Sequence, residues 1–401
     1  MIKKIYNDTR SYIRIFSKPS HLKVLYDDYR RKTGEIQSNE IHLNEAMKWL
    51  CFAQDITKCG GVSAGYSMDT GWRPPYPETT GYIINTFLNY SDFTGDEYFL
   101  NRAVKMGDWE IEIQMPDGAV RGGTGINNYP VVFNTGQVIL GWTSLYSKTK
   151  DERFRIAAKK AADWLIKVQD NDGKWSKHEF NNKPHAYHTR VAWPILKVYA
   201  LTNDEKYKES ALRNLNWVLS HVKDNGWFDN MGFVKDQHPF THTIAYTLRG
   251  FLESTFYLDE DLRKCILSHV IKASENIMVS FELKKKSLYS MPHYLAGNLN
   301  SNWKQASSFS CLTGNVQLAI IWLKLYKLTN DSRYLNSALK IIDHDKAKQD
   351  LKSKNPGIRG AIAGSFPAWG NYMQYSYPNW ATKFFADAIM LQELTMRKLE
   401  V

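Results

Sequence analysis

A carboxylate stands at residue 78 in YPETTGYIINTFLNY (residues 76–90), where a proline, two threonines and a glycine lead into an apolar run. That order of residue types marks the first turn of a helix. A glutamate held there at the edge of a cleft can serve as a general acid or base. Two other stretches, HAYHTR (185–190) and HPFTHT (238–243), carry two histidines each. Imidazole titrates near working pH, so His188 and His242 join Glu78 as candidates for moving a proton. The four histidines show no regular ligand spacing and no accompanying carboxylate. Neither a metal nor a cofactor is therefore expected.

These residues need elements to hold them, and the chain supplies a repeat. The segments beginning YSDFTGDEYF, YSKTKDERF, YALTNDEKY and YKLTNDSRY each join a Tyr, a short Thr/Asp turn and an amphipathic run. An Asp before an apolar-periodic stretch, with acids following, is an N-cap signature. It predicts amphipathic outer helices over 97–114, 152–168, 205–222, 260–281 and 332–345. LNEAMKWLCFAQDI (43–56) supplies a sixth. Runs apolar on most sides predict buried inner helices at 79–90, 135–147, 189–201, 243–257, 313–327 and 380–396. Six inner and six outer helices closing on themselves give an all-α (α/α)6 toroid over 43–401. Residues 1–42 form a short basic helical lead-in.

The connections are asymmetric. Inner helices pass to outer ones by short turns, while outer helices return through long loops rich in Gly, Pro, His, Tyr and Asn. Long structured loops gathered on one face usually carry function. Six inner-helix N-termini on that face would favour an anionic ligand.

Composition narrows the partners. The 401 residues hold 52 Lys and Arg against 41 Asp and Glu, a formal net charge of +11. Such a balance suits an acidic polymer. The basic residues form no dense block interleaved with aromatics, so nucleic acid is not expected. Cys51, Cys59, Cys265 and Cys311 form no CxxC pair, which fits a reducing compartment. No apolar run is long enough to span a membrane, and the start lacks the apolar core of a signal peptide. A cytoplasmic protein follows as the expectation, with peripheral contact of the basic lead-in to a membrane or a synthase left open.

The first turns of the inner helices and the loops before them give the candidate site. Glu78, His188, His242, Tyr246 and Tyr375 are the catalytic candidates. Glu78 is the only carboxylate at an inner-helix start. Arg73, Arg121 and Arg190 could clamp a carboxylate bidentately. Tyr76, Asn134, Gln137, Trp193, His238, Asn315, Tyr372 and Trp380 complete the binding candidates. Asp117 and Asp172 recur in equivalent loops and read as turn residues.

CGGVSAGYSMDTGWRPPYPETTGYIINTFLNY, DWEIEIQMPDGAVRGG, VVFNTGQVILGW, HTRVAWPIL and YPNWATKFFADA resemble a family of bacterial (α/α)6-toroid proteins found with capsule and exopolysaccharide genes. The likeness runs from about residue 43 to the end. The broader fold is similar to unsaturated glucuronyl hydrolases, N-acylglucosamine 2-epimerases, heparinase-type lyases and the helical domain of glucuronyl C5-epimerases. The resemblance implies metabolism of cell-surface polysaccharide. It carries over no catalytic residue, and the paired Asp of unsaturated glucuronyl hydrolases do not show at matching helix starts.

The expectation is a carbohydrate-active enzyme that binds an acidic, uronate-containing glycan in the toroid cup and cleaves it as a lyase or hydrolase. The alternatives are a uronyl C5-epimerase and a glycan-binding or assembly protein without turnover. A terpene-cyclase-like toroid is suggested by QMPDG and QDNDG but lacks an Asp-rich motif at an inner-helix start.

Overall fold

The computed structural model describes residues 2–234, 236–282, 294–397 and 399, with side chains from Thr9 onward. Fourteen helices appear among the described residues. α1 (Ile2–Phe16) and α2 (Pro19–Tyr29) precede α3 (Asn39–Asp55), α4 (Pro77–Thr94), α5 (Glu97–Ile113), α6 (Val132–Thr149) and α7 (Glu152–Lys167). α8 (Thr189–Thr202), α9 (Glu205–Leu219), α10 (Thr241–Ser254), α11 (Glu260–Glu282), α12 (Leu312–Thr329), α13 (Ser332–Lys346) and α14 (Asn379–Met396) follow.

The even-numbered helices from α4 to α14 form the inner ring. Each packs against the next, and α14 closes the ring on α4. Each is paired with an outer helix: α4 with α5, α6 with α7, α8 with α9, α10 with α11, α12 with α13, and α14 with α3 from the start of the chain. This is the (α/α)6 toroid that the periodicity predicts. Boundaries differ by a few residues: α3 begins at 39 rather than 43, and α6 at 132 rather than 135. Part of the long loop before α12, over 287–293, lies outside the described residues.

The turn chemistry explains the hairpins. Asp96, Asp151, Asp204 and Asp331 each accept a hydrogen bond from the backbone amide two residues on, capping α5, α7, α9 and α13. Before them the inner helices end in the left-handed conformation at Gly95, Lys150, Asn203 and Asn330.

A second repeating device joins neighbouring hairpins. The Gln114 amide, past the end of α5, donates to the carbonyls of Gly118 (2.9 Å) and of Ala157 on α7 (3.1 Å). Gln169 bridges Gly173 (2.9 Å) and Ser210 on α9 (3.0 Å). Gln54 bridges Gly60 and Arg102 on α5, and Gln349 bridges Gly360 and His42 on α3. Each glutamine thus ties its own turn to the backbone of the next outer helix. Gly118 has φ +98° and lies directly on the Lys160 carbonyl, where a Cβ would collide.

Among the described residues five short strands decorate the loop face. β1 (Gly65–Ser67) pairs antiparallel with β2 (Gly71–Trp72) and with β5 (Ser376–Pro378). β3 (Ser310–Cys311) pairs with β4 (Ser365–Phe366). The β1–β5 pair ties the loop before α4 to the loop before α14 at the point of ring closure. The lead-in helices seat on the same loops. His21 Nε2 lies 3.0 Å from the Tyr66 hydroxyl, and Asp28 accepts from the Ala368 amide at 2.7 Å.

Two glycines test the brace. Gly95 also has positive φ, but nothing lies within 4 Å of its missing Cβ. Gly95→Ala should cost about 1 kcal/mol, the left-handed penalty alone. Gly118→Ala adds a backbone collision and should cost at least ~3 kcal/mol. Denaturant unfolding of the two variants checks this, and equal losses would remove the brace from the account.

Candidate active site

The loops before α4, α6, α8, α10 and α14, with the first turns of those helices, enclose a cup of about 720 Å³. Seven of the candidates read from the sequence line it: Tyr76, Glu78, Asn134, His242, Tyr246, Tyr372 and Trp380. Much of the remaining wall is aromatic, from Tyr129, Phe133, Phe180, Tyr187 and Phe233.

Glu78 sits in the first turn of α4, half-buried and reachable from the cup. The Tyr76 hydroxyl donates to its Oε2 at 2.5 Å. Burial pushes the Glu78 carboxyl up to about 7. The Tyr76 hydrogen bond opposes that rise, the Glu179 charge adds to it, and Arg190 opposes it. Near neutral pH this carboxyl therefore exchanges a proton readily, as an acid catalyst must.

Glu179 is the second carboxylate of the cup. It escapes a reading of helix starts because it lies mid-loop, in KHEFNN. The loop before α8 folds back over the N-terminus of α6, where the His178 carbonyl accepts from Val132 and Glu179 Oε1 from the Phe133 amide at 2.7 Å. The other oxygen lies 3.2 Å from His188 Nε2, and both side chains are almost fully buried. The available signal was a lone carboxylate in the same loop as a candidate histidine.

His242 is held from behind. The Gln317 amide, which also carries the Nε2 donor, lies 2.7 Å from His242 Nδ1. Burial, helped by the Arg190 charge, brings His242 down to about 3. The ring is therefore neutral, and an Nδ1 that accepts from Gln317 leaves the Nε2–H as a donor. It packs at 4.3 Å from the Tyr246 ring and 5.2 Å from Tyr372, whose hydroxyl accepts from the Trp380 indole at 2.8 Å. Burial, then the Glu78 charge, raises the Tyr246 phenol above its ordinary value.

The other candidates do not reach the cup. His188 stands behind Glu179 rather than facing a ligand. Arg121 donates to the carbonyls of Ile113 and Asn127 and to the Asn128 side chain, so it braces its own loop. Arg73 donates to Ser376 across the β1–β5 junction. Arg190 is buried, donates twice to Gln137 Oε1, and lies 4.6 Å behind the Tyr246 ring. Gln137 is consumed in holding Arg190, and Trp193 packs on Arg190 and Arg249. Asn315 is buried against Ser310 and Asp345. His238 is exposed on the loop before α10. Tyr375 bonds through its backbone to Met68 and Ala368 and is no part of the cup wall.

Two expectations are corrected by this geometry. The three arginines are spent on loops and core, and no Lys or Arg lines the cup among the described residues. Several inner-helix amides are also spoken for. Besides Val132 and Phe133, the amides of Thr241, Leu312 and Asn379 donate to loop carbonyls. Among the described residues the cup thus offers an anion no lining cation, and loop groups cap the starts of α6, α10, α12 and α14.

Fold and site together define an α/α toroid with a carboxylate-bearing aromatic cup. A family model described as the squalene-hopene cyclase C-terminal domain matches residues 37–256, more than half of the chain, and the chain belongs to that family. The matched stretch contains three of the four glutamine–glycine braces. Solved structures share the fold. A glycosyl hydrolase family 88 protein from Bacteroides vulgatus aligns with a TM-score of 0.64 at 13% identity, over 90% of this chain and 100% of its own. An unsaturated glucuronyl hydrolase specific for heparin aligns at 0.67 and 14%, over 89% and 97%. A polysaccharide lyase aligns at 0.63 and 15%, over 91% and 99%. No curated protein sequence matches the chain. Among the described residues no helix is long and apolar enough to cross a membrane.

The raised Glu78 has a stability signature. Its folded value of about 7 exceeds the ordinary 4.5. The folded state therefore holds this proton more tightly, and stability declines as pH rises from about 4.5 to about 7. Glu78→Gln removes that loss. It should stabilise the chain by roughly 2 kcal/mol at pH 8 and change little at pH 4. Thermal unfolding of both proteins at the two pH values decides, and a pH-independent difference would refute the shift.

Proposed function

We propose that the chain is a glycan-cleaving hydrolase, with Glu78 as the acid and Glu179 as its carboxylate partner. The observation that carries this reading is the pairing of a carboxyl held near neutrality with a second carboxylate in one aromatic cup. Glu78 gives its proton to the glycosidic oxygen as the bond to the anomeric carbon breaks. Water adds to that carbon and surrenders a proton to Glu179. The His242 Nε2–H and the Asn134 amide supply donors for ring hydroxyls, and the Tyr and Trp faces take the apolar faces of the sugar.

The missing cation bears on which bond is attacked. Elimination and C5 epimerisation both start by removing a proton beside a uronate carboxylate, and that charge needs neutralising. The cup wall favours hydrolysis at an uncharged ring instead. The resemblance to capsule-associated toroids supports a cell-surface polysaccharide as the source of that ring.

One observation favours a second reading. Membership of the cyclase family, with a protonated carboxyl in an aromatic cage, suits protonation of an alkene and stabilisation of the cation by ring faces. The wall also carries Asn134, His178, Glu179, Asn181 and Asn182. Such nucleophiles would quench a carbocation, while they suit a sugar.

The test is incubation with neutral and uronate-containing oligosaccharides, following chain size and near-ultraviolet absorbance. Shortening of a neutral oligosaccharide without new absorbance is expected. Glu78→Gln should lower kcat by about 10²–10⁴ while binding persists, and activity should fall above pH ~7 as Glu78 loses its proton. A new absorbance would establish a lyase, and tight binding without product a binding protein. Conversion of a polyprene to a cyclic product would establish the cyclase reading.

A further inference from the structure

The lead-in carries charge and apolar surface that the toroid does not use. Residues 1–32 contain nine Lys and Arg against three Asp, so a small part of the chain supplies about half of its net charge. The inward side of this arm is well seated. Ile15, His21 and Leu25 are buried, and Arg14 pairs with Asp69 at 3.2 Å. The outward side is unusual. On α2, Leu22, Tyr26 and Tyr29 follow at i, i+4 and i+7, one face of the helix, with Tyr26 63% and Tyr29 74% exposed. On α1, Tyr12, Ile13 and Phe16 are exposed, Ile13 at 63%. Arg10, Lys18 and Arg30 are exposed among them, and no carboxylate pairs with these three among the described residues.

We infer that α1 and α2 form a docking surface for an anionic lipid bilayer. Aromatic and aliphatic side chains interleaved with Lys and Arg on short amphipathic helices fit the headgroup boundary, where rings bury shallowly and basic groups meet lipid phosphates. A protein partner or a second copy would also cover apolar surface. A second copy does not account for the charge excess, because it would bring the same positive arm against itself, and the shallow interleaving of exposed rings with Lys and Arg on two short helices favours a lipid surface over a protein. The arm is fixed to the loops before α4 and α14 through Tyr66, Asp69 and Ala368. Docking would therefore bring the loop face that carries the cup toward the membrane surface. This inference is independent of the reaction in the cup.

Flotation of the full chain with vesicles of phosphatidylcholine, with and without phosphatidylglycerol, tests it. Binding is expected only to the mixed vesicles and should weaken as salt is raised. Tyr26→Ser with Tyr29→Ser should reduce that binding by about tenfold or more, with an unchanged melting temperature because both rings are exposed. Absence of binding, or equal binding to both vesicles, overturns the proposal. So does a dimer in solution that the same double substitution dissociates, which would make the arm a contact between copies of this chain.

Discussion

The glutamine brace is the contact on which the ring depends. Each of Gln54, Gln114, Gln169 and Gln349 uses one amide to hold two carbonyls, one in its own turn and one on the neighbouring outer helix. A hydrogen bond of this kind contributes about 1 kcal/mol net, and its loss strands a buried acceptor at higher cost. Geometry matters more than that energy. The brace fixes the outer helices side by side, and the hairpins carry this spacing to the inner ring. The brace from Gln349 reaches α3, so the last unit is tied to the first. Hairpins without such a tie could stack into an open superhelix, as other helical repeats do.

Closure places the inner-helix starts around one axis and forces the long loops to cover them. Those loops must satisfy the amides they bury, which is why loop carbonyls and Glu179 cap the helices instead of leaving them to a ligand. Glu179 thereby gains two roles from one position. It completes α6 and sets a carboxylate in the cup wall against His188. Glu78 has no such anchor beyond Tyr76, so burial dominates its titration.

The ring was legible because its signals are local and repeated. Asp caps and left-handed termini recur in four of the six units, the 3.6-residue periodicity runs through the helices, and each signal carries its meaning within about ten residues. Glu78 and His242 face the cup, but His188, at the position equivalent to His242, packs on Glu179 instead, so place in the repeat did not by itself decide aim. The arginines were not legible. Whether Arg121 meets a ligand or the carbonyls of Ile113 and Asn127 depends on how one irregular loop folds, which periodicity does not encode. Glu179 was hidden likewise, because its neighbour Phe133 lies 46 residues away in sequence. The Gln and Gly of QMPDG and QDNDG were visible, but their partners sit on the next hairpin.

Arg190 shows how the core and the cup divide the work of charge. Beneath the aromatic wall, Arg249 and Lys324 share Glu253, and Lys383 pairs with Asp387. Arg190 is held instead by neutral groups, the Gln137 oxygen and the ring faces of Tyr246, Phe384, Trp193 and Tyr82. A cation held by neutral groups keeps its field. That field acts on Glu78 through the wall and favours its anion, yet burial is the larger effect and the carboxyl stays near 7. The balance has a consequence for proton transfer. While protonated, Glu78 has little use for the cation. Once the proton leaves, the new carboxylate finds Tyr76 donating to it and Arg190 behind it, with no rearrangement required. An arginine in the cup would have gripped an anionic ligand in the ground state. In the proposed reaction its place behind Tyr246 instead assists the charge that appears as Glu78 gives its proton away.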